Sequence, residues 1–263
     1  MQPPTFSMFI YDWSTDDNYS HGFLVPVIVG YLVWTKKEKL RTLSLKPSIW
    51  GLVILIFGLS IYLVGVIGAE WFLKRSSLII VLGGIIFYCY GMEFSKTLLF
   101  PLIFLIFMIP LPAIIYSSLA FQLQLFVSKV SVHLISFAGV AAHRTGNIIE
   151  VSTGPLAVEE ACSGMRSIMA LLALTALFAY MMSESKLKQW ILFACALPIA
   201  VVTNIIRVAA TGIFAHHFGK EFAEGILHES FGLIVFVIAL ILLLLLNQCL
   251  NWIFPEKSGK KLG

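Results

Sequence analysis

Residues Trp190–Phe214 read WILFACALPIAVVTNIIRVAATGIF. The run exceeds the roughly 20 residues that an α-helix needs to cross a hydrocarbon core of about 30 Å. Its only charged group is Arg207. A charge within a span is costly and is a functional hypothesis by default. The plainer reading is an arginine that snorkels to the interface at the end of its helix. Asn204 lies one turn earlier on the same face, where its amide can hold the guanidinium or a substrate carbonyl.

The rest of the chain agrees with that segment. Of its 263 residues, 59% are hydrophobic and 12% charged, and the mean hydropathy is +0.93. Soluble domains carry about 25% charged residues. The expected fold class is therefore an all-α polytopic membrane protein, one domain over residues 1–263. The aspartate-containing start, MQPPTFSMFIYDWSTDD, has no basic n-region, so no cleavable signal peptide is expected. The net charge of +4 fits cytoplasmic loops and gives no reason to expect a nucleic-acid partner.

Seven apolar runs read as spans: 22–35, 49–68, 77–92, 98–115, 163–182, 190–214 and 231–253. The stretch 117–142 is amphipathic, with Gln122, Gln124, Lys129 and His133, and suits an interfacial or re-entrant segment, which leaves about 7–8 transmembrane helices. With the N-terminus outside, 11 of the 18 basic residues fall in the cytoplasm, among them Lys39, Lys186 and Lys188, and 10 of the 14 acidic residues fall outside. That orientation predicts a multi-pass membrane protein with its N-terminus outside the cytoplasm. The segment 147–159, with Thr153, Gly154 and Pro155 at its centre, reads as a short extracytoplasmic hairpin.

Four cysteines make no disulfide framework. Cys89, Cys195 and Cys249 lie in or at the end of apolar runs, where cysteine behaves as a small hydrophobe. Cys162 differs, because Glu159, Glu160, Ser163, Gly164 and Arg166 surround it. Just before a helix, free N–H groups and the dipole favour a thiolate. Ser163 and Gly164 let the backbone approach a substrate and present donors to an oxyanion. The neighbouring glutamates oppose a thiolate and demand a positive partner. Arg166 can neutralise Glu159 or Glu160, or bind an acidic group of a substrate. His228, in ILHES, is a candidate general base once a cysteine lies near. His216 and His217 read as solvated surface residues. Zinc is disfavoured, since the usual ligand spacings are missing and a guanidinium repels a cation. Neither metal nor cofactor is expected. By the same topology, Cys162, Arg207 and His228 each sit at a helix end on the extracytoplasmic side. The constellation fits a cysteine-nucleophile site.

The segments YSHGFLVP (19–26), IPLP (109–112), EEACSGMRS (159–167), PIAVVTNIIRVAATG (198–212) and HESFG (228–232) resemble the exosortase and archaeosortase family of membrane-embedded sorting enzymes. The likeness runs through nearly the whole chain in the family's order. It implies about eight membrane helices and a cysteine peptidase or transpeptidase with Cys162, Arg207 and His228 as its catalytic triad. It also implies partners: exported proteins whose C-terminal signal is a PEP-type motif, a transmembrane helix and a basic tail. The rival readings from the residues alone are a small transporter or channel around Arg207, or a structural subunit of a polysaccharide-export system.

Overall fold

The structure is a computed structural model, and it describes residues 5–158, 164–182, 185–219 and 226–254. The chain divides into two compact units, Met1–Tyr116 and Ser117–Gly263. Among the described residues, six helices are long and apolar enough to cross a membrane.

The first unit opens with α1 (Thr5–Thr15), a 3-10 turn (Asp17–Phe23) and the short apolar α2 (Leu24–Thr35), followed by the basic α3 (Lys37–Thr42). Its centre is a helical hairpin, α4 (Ile49–Ile67) and α5 (Trp71–Tyr90). Lipid offers no hydrophobic drive for helices to pair, so close backbone packing must supply it. Gly51, Gly58 and Gly65 recur every seven residues and are buried against α5. A Cβ added at Gly58 would lie 2.9 Å from the Val81 side chain, and one at Gly65 would lie 2.8 Å from the Lys74 nitrogen. Gly84 returns the contact, with the Leu55 nitrogen 2.6 Å from an added Cβ. Glu70 caps α5 by accepting from the Leu73 N–H at 2.9 Å.

The run 98–115 is not one span. Helix α6 (Met92–Phe104) tightens into a 3-10 turn (Leu105–Met108) and stops, and α7 begins afresh at Ala113. Pro110 and Pro112 force the residues before them into extended backbone, and Ile109 is indeed extended. The carbonyls left over are taken up by the N-terminal segment. Trp13 Nε1 donates to the Met108 carbonyl at 3.0 Å, and His21 Nε2 bonds the Phe107 carbonyl at 3.2 Å.

The stretch 117–142 also differs from the interfacial or re-entrant expectation. Most of it belongs to α7 (Ala113–Phe137), one unbroken helix of 25 residues that is long and apolar enough to cross. At 1.5 Å per residue it is about 37 Å long. Gln122, Lys129 and His133 are exposed, while three other polar residues of the helix face protein. Gln124 accepts from Asn147 Nδ2 at 3.2 Å, Ser128 Oγ donates to the Gly146 carbonyl at 3.1 Å, and Ser131 Oγ donates to the Ile205 carbonyl at 3.1 Å.

The expected hairpin is present and gains a strand. β1 (Ala142–Thr145), β2 (Ile148–Val151) and β3 (Gly154–Ala157) form an antiparallel sheet in sequence order, with Val151 opposite Gly154 across the second turn. Ile149, Val151 and Leu156 enter a buried cluster with Val127 and Ile135 of α7 and Val208 of the long helix α9. Among the described residues, the unit continues with α8 (Gly164–Met182), α9 (Lys186–Phe218) and α10 (Ile226–Ile253). Lys188, expected as a cytoplasmic anchor, is buried and donates to Asn251 Oδ1 at 2.9 Å.

Candidate active site

The site is built on α9. With 33 residues this helix is about 50 Å long, well beyond the hydrocarbon thickness. Arg207 is therefore not at a helix end, because the sequence after it, VAATGIFAHHF, continues the same helix to Phe218. It does lie about 32 Å along the axis from Lys186, one core thickness away. Thr203 and Asn204 precede it by four and three residues and share its face.

Arg207 is 6% exposed and Asn204 5%. Both line a cavity of about 10 Å³ where α8, α9 and α10 meet. Ser167 and Leu171 enter it from α8, and Val235, Phe236 and Ala239 from α10. The volume has room for about one water. Thr203 lines it too, with its hydroxyl turned back to the Ile199 carbonyl at 2.9 Å. Thr211 does the same one turn above, donating to the Arg207 carbonyl at 2.9 Å.

The guanidinium of Arg207 lies against the backbone of α10 at Gly232. A Cβ built there would be 3.2 Å from Nη2, 3.5 Å from Cζ and 3.7 Å from Nη1. Gly232, Val235, Phe236 and Ala239 form one stripe at helical spacing. Position 228 falls on the same stripe, one turn before Gly232, within the first turn of α10. The fold thus brings Arg207, Asn204 and Ser167 together and sets the backbone of the His228 turn beside them.

The other expected residues divide as follows. Glu159, Glu160, Cys162 and Ser163 lie outside the described residues. Gly164 begins α8, two positions after Cys162, and Arg166 is half-buried in its first turn. Immediately before that gap, the Val158 N–H closes on the Asn147 carbonyl at 3.1 Å. Val158 is thus tied to the sheet four residues before Cys162 in the sequence. His216 is not simply a solvated residue: its Nδ1 lies 2.6 Å from Ser152 Oγ in the hairpin turn. Ser167 and Thr203 were not foreseen as cavity residues. Ser167 sits one turn of α8 after Gly164, and that spacing from the polar segment is the signal that could have marked it.

A larger pocket, about 730 Å³, lies in the first unit beside Asp12, Glu70, Trp71 and Arg75. Its charged groups are already engaged, Arg75 with Asp12 and Glu70 with the Leu73 N–H. Burial pushes the Asp12 carboxyl up, and the Arg75 charge pulls it back down.

Among known proteins, a family model described as transmembrane exosortase matches residues 13–245, which runs through both units. No curated protein and no solved structure matches the chain. The match covers most of the sequence, including every segment that carries the cavity and its flanking hairpin, and on that basis the chain belongs to the transmembrane exosortase family.

Proposed function

We propose that this membrane sorting enzyme is a cysteine peptidase that cleaves, and then transfers, exported proteins bearing a C-terminal PEP-type signal at the extracytoplasmic face of a bacterial inner membrane. The observation that carries the reading is the buried Arg207 guanidinium, packed against the α10 backbone one turn from His228. A buried charge at that depth is expensive without a task. The substrate's own transmembrane tail confines it to the bilayer and presents its scissile peptide at the surface.

The chemistry is nucleophilic. His228 accepts the thiol proton of Cys162, and the sulfur attacks the scissile carbonyl carbon. The C–S bond forms as the carbonyl π pair moves onto oxygen. Arg207 and backbone N–H groups at Ser163 and Gly164 hold that oxyanion, with Asn204 beside them. The oxyanion collapses, the C–N bond breaks, and His228 protonates the leaving amine. An acceptor amine or water then attacks the thioester, sulfur leaves as thiolate, and the proton lost by the nucleophile returns through His228. A partly dry site favours the amine over water. Arg166 neutralises Glu159 or Glu160, or binds the acidic residue of the signal.

Co-expression with a tagged substrate, followed by mass analysis of its new C-terminus, tests this reading. A shortened chain with an added amine-bearing group supports transfer, and a free carboxylate supports hydrolysis alone. An intact substrate would refute both.

A further inference from the structure

Gly232 has a role that its place in a membrane helix does not explain. Glycine inside a helix costs about 0.5–1 kcal/mol relative to alanine, so a reason is needed for the missing side chain. In the α4–α5 hairpin the reason is helix-to-helix packing, as the neighbours there are backbone and apolar side-chain atoms of the facing helix and its turn. At Gly232 the three nearest heavy atoms to an added Cβ are all guanidinium atoms of one side chain, Arg207. Their distances run only from 3.2 to 3.7 Å, across Nη2, Cζ and Nη1. A Cβ nearly equidistant from these three atoms would meet the face of the guanidinium and not its edge. The side-chain position of Gly232 thus lies over the face of the Arg207 guanidinium, toward Nη2.

That contact fixes more than position. A guanidinium donates in its own plane, through a rigid fork. Whatever sets the plane therefore sets the direction of its donors. From below, α9 offers Thr203 and Asn204 on the same face. From α10, the Gly232 position lies against the fork. A methyl at 232 lies closer than nine in ten real Cβ contacts at 3.2 Å. The guanidinium must tilt or slide by a few tenths of an ångström to accept it.

We infer that Gly232 is a positioning residue, whose missing side chain leaves the Arg207 fork aimed at the developing oxyanion. The inference rests on the reading of Arg207 as the oxyanion group. A substrate carbonyl in the ground state tolerates a tilted donor better than a transition-state oxyanion does. A small misplacement therefore falls on turnover, while substrate binding is nearly unaffected. Misplacement of a catalytic group by about 1 Å costs on the order of a hundredfold in rate.

The test is a double-mutant cycle on the full-length enzyme in membranes, with a tagged sorting-signal substrate. The variants are Gly232→Ala, Arg207→Lys and the two combined. Gly212→Ala serves as the packing control, since its added Cβ meets the flexible Ile135 side-chain end at 2.6 Å and no polar group. Gly232→Ala is expected to accumulate normally and to lose about ten- to a hundredfold in kcat, with KM within about twofold. Arg207→Lys is expected to lose about a hundredfold. The combined variant should be no slower than Arg207→Lys alone, because a lysine head carries no plane to tilt. Gly212→Ala should lower thermal stability while keeping kcat per folded molecule. If Gly232→Ala slows the enzyme equally in both backgrounds, Gly232 does not act through Arg207 and the inference is overturned. Parental kcat in Gly232→Ala overturns it as well. Near-parental activity in Arg207→Lys removes Arg207 from the catalytic set, a failure of the functional reading that is visible without any change at position 232.

Discussion

The Nδ2 of Asn147, in the turn between β1 and β2, donates to Oε1 of Gln124 in α7 at 3.2 Å. This bond joins a small sheet to the polar stripe of an otherwise apolar helix. The Ser128 hydroxyl reinforces it on the neighbouring Gly146 carbonyl. The sheet in turn precedes, in the sequence, the segment that holds Cys162.

Losing this bond should loosen the sheet. Gln124→Ala and Asn147→Ala are each expected to cost about 1 kcal/mol. The double variant should cost less than the sum, since the two side chains serve one bond. Thermal unfolding of the purified protein in detergent checks it. Strict additivity would show that the two residues act independently.

Glycine substitutions should separate by what their Cβ meets. Gly58→Val forces bulk against the Val81 backbone and side chain, about 3 Å away, and should destabilise by about 1–3 kcal/mol. Gly30→Ala meets nothing within 4 Å. It should be neutral or stabilising by up to about 1 kcal/mol, through helix propensity. The same unfolding measurement decides, and equal effects at both sites would refute the close α4–α5 contact.

Acid should weaken the first unit through His21. Burial lowers its pKa from the ordinary imidazole value of 6.5, against the opposing pull of its bond to the Phe107 carbonyl. With the folded value below the unfolded one, stability is fully present above 6.5. It is lost as pH falls through 6.5 toward the folded value, because the unfolded chain takes the proton first. His21→Gln should flatten that dependence between about pH 7 and 5.5. An unchanged pH slope in the variant would show that another group carries it.

Membrane-impermeant thiol labelling tests the orientation. In a background with Cys89, Cys162, Cys195 and Cys249 changed to Ala, Thr153→Cys in the β2–β3 turn should label from outside intact cells. Lys39→Cys should label only after the membrane is opened. The basis is the bias of basic residues toward one side. Labelling of position 153 only from the cytoplasm would separate the site from an exported substrate.

Much of this architecture is legible in the sequence, for a physical reason. Apolar runs such as 49–68 and 231–253 have one way to satisfy their backbone in lipid, so hydropathy alone finds their helices. It fails where protein replaces lipid as the neighbour. Gln122, Gln124, Lys129 and His133 make α7 look interfacial, yet Gln124, with Ser128 and Ser131, bonds the sheet and the Ile205 carbonyl. Pro110 and Pro112 sit in an apolar run that a hydropathy window reads straight through. Arg207 looks terminal because a charge toward the end of an apolar run reads as snorkelling to the interface, although α9 continues for another three turns. The short β1, AHRT, has too little alternation to announce a strand. Asn204 and Arg207 are legible as a pair because three residues on a helix is a fixed geometry, whereas Ser167 and Gly232 reach them only through tertiary packing.

The central claim is that one thiol does the chemistry, and the most direct measurement is substrate processing by Cys162→Ala. Full-length enzyme and a tagged sorting-signal substrate are expressed together, and the mass of the substrate's C-terminus is determined. Cys162→Ala and Cys162→Ser should leave the substrate uncut while the protein still inserts. Cys89→Ala, Cys195→Ala and Cys249→Ala should process it at about the parental rate, because those thiols sit on apolar helices and do not line the Arg207 cavity. A mature C-terminus produced at the parental level by Cys162→Ala would contradict the mechanism outright.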